Sequence, residues 1–475
     1  MNRTIPAILA VALFMEQMDS TVIATSLPAI AADIGTDPIA LKLALTAYLV
    51  SVAIFIPISG WMADRIGAKK VFCAAIAVFV VGSIACTTAG SLGGFVAARF
   101  LQGMGGAMMT PVGRLVLVRL TDKRDLVNAM AWLTIPALFG PLAGPPVGGF
   151  ITTYFSWHWI FLINVPIGLA GIVLAWRILP TIDPKETASV DRTGFLLSGF
   201  AAAGIVFGLS VISLPALPPV YGAVALAAGI ICTALYVRHA RRHSAPLLAL
   251  RLFENPSFRA AVAGASLFRI GAGAVPFLLP LMFQLAFGMT PFEAGLLTFA
   301  SALGAIGLKF VAAKLLRLAG FRTILIVSSV VGAVMIAING WFTSETPVAL
   351  IIGVLFVAGF FRSLFFTSAN ALVFADTPQE DAAQATAISA VLQQVSIAVG
   401  VAIAGAVLEA VTFVTGEPLG LDAFKISFFT VAGLTAFAAI AFWPLDKRAG
   451  ETVSGHQLRP AGPGGRTPVN RPPGP

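Results

Sequence analysis

Between Ile5 and Ala29 the chain is apolar for roughly 25 residues, and at about 1.5 Å of rise per residue a helix of that length crosses the ~30 Å core of a bilayer. The same run carries Glu16 and Asp19 near its middle. A carboxylate at that depth costs about 2.5–3.5 kcal/mol on insertion scales, so it marks a satisfied structural pair or a functional site. Three positions apart on a helix, the two acids share one face, which must turn away from lipid. On the structural reading, neighbouring hydroxyls such as Thr21 satisfy them. On the functional reading, which we take forward, they are titratable groups in a polar pathway.

Further apolar runs separated by short polar loops predict fourteen spans, an all-α integral membrane protein. Six fall at 5–29, 42–62, 71–90, 94–117, 129–151 and 159–178, and six more at 260–285, 293–313, 323–342, 347–374, 383–410 and 425–444. Between them lies a pair, 194–212 and 219–237, without a charged side chain inside. The expected organisation is a six-helix bundle (1–178), an extra helix pair (179–237), a cytoplasmic linker (238–259), a second six-helix bundle (260–444) and a disordered cytoplasmic tail (445–475). In the linker, the leucines at 247, 248, 250 and 252 with flanking Arg predict an interfacial helix. At 58% hydrophobic and 11% charged, the composition excludes a soluble globular protein, in which about a quarter of residues are charged.

A net charge of +9 would suit nucleic acid, but its distribution argues otherwise. Of the 30 Lys and Arg residues, 23 fall on one set of loops and termini, while the opposite face has only Lys42 and Lys425. That bias places both termini in the cytoplasm of a cell-membrane protein and makes the charge a topology signal. Cys73, Cys86 and Cys232 lie in apolar runs without metal-ligand spacing, so no metal or cofactor is expected. No HExxH pair, phosphate loop or GxSxG elbow is present, which argues against a membrane enzyme or an ATP-driven pump.

Five motifs narrow the function. After the second run, Gly60, Asp64, Arg65, Gly67, Lys69 and Lys70 form a basic turn, with glycines for tight geometry and lysines toward anionic headgroups. Early in the fourth run stands Arg99-Phe100-Leu101-Gln102-Gly103. The fifth run contains Gly140-Pro141-Leu142-Ala143-Gly144-Pro145-Pro146-Val147-Gly148-Gly149, where proline removes donors and glycine admits a neighbouring helix. Met18-Asp19-Ser20-Thr21-Val22 precedes Leu27-Pro28, and Trp157-His158-Trp159 precedes Asn164-Val165-Pro166. Together these resemble the major facilitator superfamily, in particular its fourteen-helix drug/proton antiporters. Ala24, where that branch usually has Asn, and His158, where Arg is common, depart from the pattern. The resemblance implies a multidrug efflux antiporter. Asp64 and Arg65 would gate the cytoplasmic side, Arg99 would assist proton transfer, and the Gly/Pro segment would mark export. Aligning the halves as pseudo-repeats sets Arg317 where Asp64 stands and Arg269 one residue from Glu16.

Local charge adds a second possibility. Arg269 and Arg362 lie too deep to snorkel comfortably, and Arg114 lies within a turn or two of the cytoplasmic end. Pairing with Glu16, Asp19 or Glu409 would make them structural; otherwise they favour a substrate bearing an anionic group. The expectation is therefore a proton-coupled exporter of drugs or other small organic compounds, or alternatively of an organic anion or acidic chelate. Asp19 is the expected proton carrier with Glu16 as its partner, and Arg269, Arg362 and Arg114 are the expected substrate contacts. A channel is disfavoured by the gate and antiporter motifs.

Overall fold

The computed structural model describes residues 4–121, 125–181, 190–214, 217–309 and 311–454, without the side chains at 126–128, 131, 134–138, 313, 452 and 454. Arg3, Lys123, Arg124, Lys185, Arg459, Arg466 and Arg471, which belong to the 23 basic residues counted above, lie outside the described residues.

The first long helices are α1 (Thr4–Val22), α2 (Lys42–Ile66), α3 (Ala68–Thr88), α4 (Leu92–Leu120), α5 (Leu126–Tyr154) and α6 (Asn164–Ile178). A hairpin follows, α7 (Arg192–Val211) and α8 (Pro219–Ala240). The rest are α9 (Pro256–Leu281), α10 (Pro291–Lys309), α11 (Ala312–Asn339), α12 (Val348–Ala375), α13 (Ala382–Thr415) and α14 (Leu421–Ala436). Among the described residues, 12 helices are long and apolar enough to cross a membrane, not the fourteen expected. The two long helices outside that set are α4 and α5, each of 29 residues. Arg99, Arg114 and Arg119 dilute the apolarity of α4, and α5 includes side chains outside the described set.

Local chemistry explains the ends. Ser91 accepts the Gly94 amide to cap α4, Asp191 caps α7 in the same way, and Asn255 caps α9 just before Pro256. Glycine sets the packing. A methyl group at Gly204 would stand 2.6 Å from Gly229 Cα, and one at Gly222 would stand 2.4 Å from the Ile212 nitrogen, so α7 and α8 close backbone to backbone. Apolar side chains gather into two large clusters. One joins Phe72, Phe79 and Met109 within the first helices; the other centres on Phe268, Phe277, Phe365 and Phe428 and reaches Leu27, Phe95 and Phe161.

Three expectations are corrected here. The linker has no interfacial helix: it holds one short 3-10 turn, Leu250–Glu254, and runs as a strap over protein. Its Leu248 amide donates to the Tyr236 hydroxyl (2.8 Å), Ala249 N–H donates to Gln384 (3.2 Å), and Arg251 pairs with Asp381 (2.6 Å). Leu248 and Leu252 are thereby buried against the chain rather than laid on lipid. Residues 445–454 of the tail are ordered, because Leu445 is buried and Gly450, at φ 67°, rests on Phe321 before a short helix at Glu451–Ser454; the expectation for 455–475 lies outside the described residues. Lys42, expected on a loop, is fully buried at the start of α2.

Candidate functional site

The acids of α1 occupy two adjoining but different environments. Asp19 is completely buried and accepts from three side chains: Arg99 Nη1 (2.7 Å) and Gln102 Nε2 (2.9 Å) on α4, and Asn164 Nδ2 (2.8 Å) at the start of α6. Gln102 also accepts from Arg99 and donates to Ser83 (2.8 Å) on α3. The guanidinium carbon of Arg99 lies 4.4 Å from the centre of the Tyr48 ring and 5.7 Å from that of Phe161. Close backbone contact makes this possible, since a methyl group on Gly82 would lie 2.6 Å from Gln102 Cα. Asp19 and Arg99 thus form a buried ion pair with its remaining lone pairs largely occupied, the condition under which such a pair is tolerated.

Glu16 is only 6% exposed, yet among the described residues no cation lies within ion-pair distance. Its Oε2 accepts from Gln17 Nε2 and from Thr110 Oγ1, each at 3.0 Å. Arg114, one turn beyond Thr110 on α4, is exposed and acts on Glu16 as a cation from beyond ion-pair distance. A buried carboxyl held by two neutral donors can gain or lose a proton without breaking an ion pair.

The Gly/Pro segment builds the wall behind these acids. Methyl groups at Gly140, Gly144 and Gly148, on one face of α5, would fall 2.8 Å from Gln17 Cβ, 2.0 Å from Thr21 Oγ1 and 2.3 Å from the Val22 carbonyl. A methyl group on Gly149 would stand 2.3 Å from the Pro291 carbonyl oxygen, and one on Gly295 of α10 would stand 2.4 Å from that of Pro145. Helix α5 therefore lies directly against both α1 and α10, and it runs unbroken through Pro141, Pro145 and Pro146.

The same end of the molecule holds further bonds between the first six helices and the last six. Gln284 donates to the Thr25 carbonyl (3.0 Å), and the Phe292 amide donates to Thr153 (3.1 Å). Lys42 Nζ lies 2.5 Å from Glu409 Oε2 on α13 and donates to Ser213 (2.8 Å), just past α7. Its stem passes Gly405, where a methyl group would stand 2.4 Å from Lys42 Cδ. One buried ion pair thus joins three parts of the chain.

Other expected residues are placed as follows. Asp64 pairs with Arg119 at the end of α4, a partner within the first six helices. Arg65 and Lys70 are exposed, whereas Lys69 donates to the Leu179 carbonyl (2.7 Å) and faces the Trp176 ring instead of headgroups. Gly67 adopts φ 101°, as the turn requires, but Gly60 has open space beside it and no close helix. Arg269 does not meet Asp19 or Glu16: it donates to Asn370 (3.2 Å) and lies 5.0 Å from the Phe366 ring centre. Arg362 is half-buried and lines a cavity of about 40 Å³ with Phe268, Ser301 and Asn339.

Sequence reasoning missed Tyr48, Ser83 and Thr110, which carry no motif. Gln102 and Asn164 stood inside quoted motifs without an assigned task.

A model of the Major Facilitator Superfamily matches residues 9–253 and 261–472. A Yersinia enterocolitica protein named "Putative multidrug resistance protein MdtD" is 35% identical over 444 residues, 92% of this chain and 93% of its own. A Serratia proteamaculans protein of the same name is 34% identical over 458 residues, 94% of each chain. Among solved structures, a D-xylose-proton symporter matches with TM-score 0.67 at 15% identity, over 94% of this chain and 98% of that one. The human organic anion transporter MFSD10 matches at 0.61 and 14%, over 93% and 99%. At such identities the structural likeness concerns the fold alone.

Proposed function

This chain belongs to the major facilitator superfamily and is a multi-pass membrane transporter, not an enzyme, and from that premise we propose that it exports drugs or other small organic compounds in exchange for protons. The names of its bacterial relatives support the drug assignment. In this reading α4 and α5 also cross the bilayer, giving fourteen spans in two six-helix bundles with α7 and α8 between them. The basic loops and both termini face the cytoplasm. The end joined by Lys42–Glu409, Gln284–Thr25 and Phe292–Thr153 is then the outer end, held closed. Alternating access requires those contacts to part while the turn at Asp64 and Arg65 closes.

The observation that carries the proton reading is the contrast on α1. Asp19 is engaged by Arg99, Gln102 and Asn164, whereas Glu16 is buried too but forms no ion pair among the described residues, Arg114 acting on it only from beyond contact. We therefore assign proton carriage to Glu16 and a supporting role to the Asp19–Arg99 pair, reversing the order expected from sequence. An inward proton gains about 2.3 kcal/mol per 100 mV. The test is ethidium-stimulated proton flux in proteoliposomes. Glu16→Gln should abolish the flux while ethidium still binds, and undiminished flux would refute the assignment.

Arg269 and Arg362, cations without a carboxylate partner among the described residues, favour a second reading in which the exported compound is an organic anion. Replacing both by Ala should then depress carboxyfluorescein export more than ethidium export. Equal losses would exclude that reading.

A further inference from the structure

Tyr48 lies between the two acids and has no part in the reading so far. It is 2% exposed, and its hydroxyl is buried without a hydrogen-bond partner. An orphaned buried hydroxyl is destabilising, so its retention calls for a reason. Its surroundings supply one. A methyl group on Gly106 would stand 2.8 Å from the Tyr48 hydroxyl oxygen and 3.5 Å from Glu16 Cγ, so hydroxyl and acid flank the same bare strip of α4. The ring also carries the Arg99 guanidinium, 4.4 Å from its centre, the group that holds Asp19. Arg99 Nε and Asn164 Oδ1 are also buried and unpartnered, leaving the network with spare hydrogen-bonding capacity where it meets the ring.

We propose that Tyr48 is the positioning residue through which the protonation state of Glu16 is felt at the Asp19–Arg99 pair. The inference rests on the proton-coupled reading above and extends it to a residue outside every motif. When Glu16 is ionised, the Tyr48 hydroxyl donates to its carboxylate, directly or through one water. The ring then shifts over Arg99 and changes how the guanidinium is held on Asp19. When Glu16 is protonated the hydroxyl is released and stands without a partner, as the Tyr48 hydroxyl does here. No covalent bond changes; one hydrogen bond is exchanged, and a two-position side chain links two sites on one helix. The charged groups facing Tyr48 are Glu16 and Asp19 from α1 and Arg99 from α4. Helix α13 also packs on α2, but its Glu409 is engaged by Lys42 at the start of that helix.

The experiment compares wild type, Tyr48→Phe and Glu16→Gln in proteoliposomes, using ethidium as substrate and a trapped pH dye as reporter, with thermal stability measured in detergent. Tyr48→Phe deletes only the hydroxyl. If that oxygen were merely an orphan, the variant would be as stable as wild type or more so, with unchanged flux and an unchanged pH profile. We expect unchanged or higher stability together with a loss of ethidium-driven proton flux of about 10- to 100-fold, the effect of one hydrogen bond to a charged group. The pH profile of the residual flux should also be displaced, which a structural role would not produce. Wild-type flux and profile in Tyr48→Phe, with Glu16→Gln inactive, overturns the Tyr48 inference alone. Full flux in Glu16→Gln overturns the coupling reading and this inference with it.

Discussion

Two buried ion pairs sit at different places in this protein and are built differently. Asp19–Arg99 lies within the first six helices, where α4 and α6 supply donors until little remains unsatisfied on the carboxylate, and Tyr48 of α2 and Phe161 offer aromatic faces to the guanidinium. Lys42–Glu409 spans the first and last groups of helices and has Ser213 as its additional partner. Burial makes any such pair expensive to break by removing one member. The surroundings decide whether it can be broken reversibly. A pair enclosed by one packed unit has nowhere to go, whereas under the alternating access proposed above a pair between units would separate as they rock, each charge meeting water. The first is suited to hold geometry and the second to hold a state.

Breaking the enclosed pair should have the largest effect. Arg99→Ala leaves Asp19 charged and unpaired, and we expect a loss of about 3–5 kcal/mol of stability, read as a collapse of the thermal transition in detergent. Lys42→Ala should also be harmful, but exchanging the charges in the double variant Lys42→Glu with Glu409→Lys should recover much of the transport. The same exchange at Asp19 and Arg99 should fail, because Gln102 and Asn164 present donors fitted to a carboxylate. Dye-export assays on the four variants would show the asymmetry, and equal rescue would remove it. Gly144→Ala should come next. Its methyl group would fall 2.0 Å from Thr21 Oγ1, so α5 must shift off α1 at about 1–3 kcal/mol, partly relieved by Thr21→Ala. A thermal-shift series checks this.

The smallest effect lies at the helix pair. Burial alone would raise the Asp191 carboxyl, but the Gly194 amide, His239 and the Leu247 amide together hold it below the ordinary carboxylate range. A depressed carboxyl stabilises fully above its unfolded value of about 3.9 and loses that contribution as pH falls through its lower folded value. Acidification to about pH 5 should therefore leave this cap intact, with loss only in the acid range below about 4. Asp191→Ala should cost about 1 kcal/mol at neutral pH, as for other N-caps, by thermal melting.

Much of this was legible in the sequence because membrane insertion imposes a coarse and unforgiving code. Helix positions followed from run length alone, and the glycines at 140, 144 and 148 fell on one face as the motif implied. The partners were harder to read. Arg99 was singled out, but its pairing with Asp19 joins positions 80 apart in sequence, and no spacing rule reaches that far. Lys42 looked like a loop cation because it begins its helix; burial came from Glu409, a partner 367 positions away. Asp19 was favoured over Glu16 because motifs name residues, not their neighbours. The reversal we propose rests on the ion pair that Asp19 makes and the neutral donors that Glu16 has instead.

Infrared difference spectroscopy on ethidium binding tests that reversal most directly, because a protonated carboxyl has its own carbonyl band. The account predicts that ethidium removes one such band from the wild-type protein and that Glu16→Gln no longer shows the change. A difference band that persists undiminished in Glu16→Gln would contradict it.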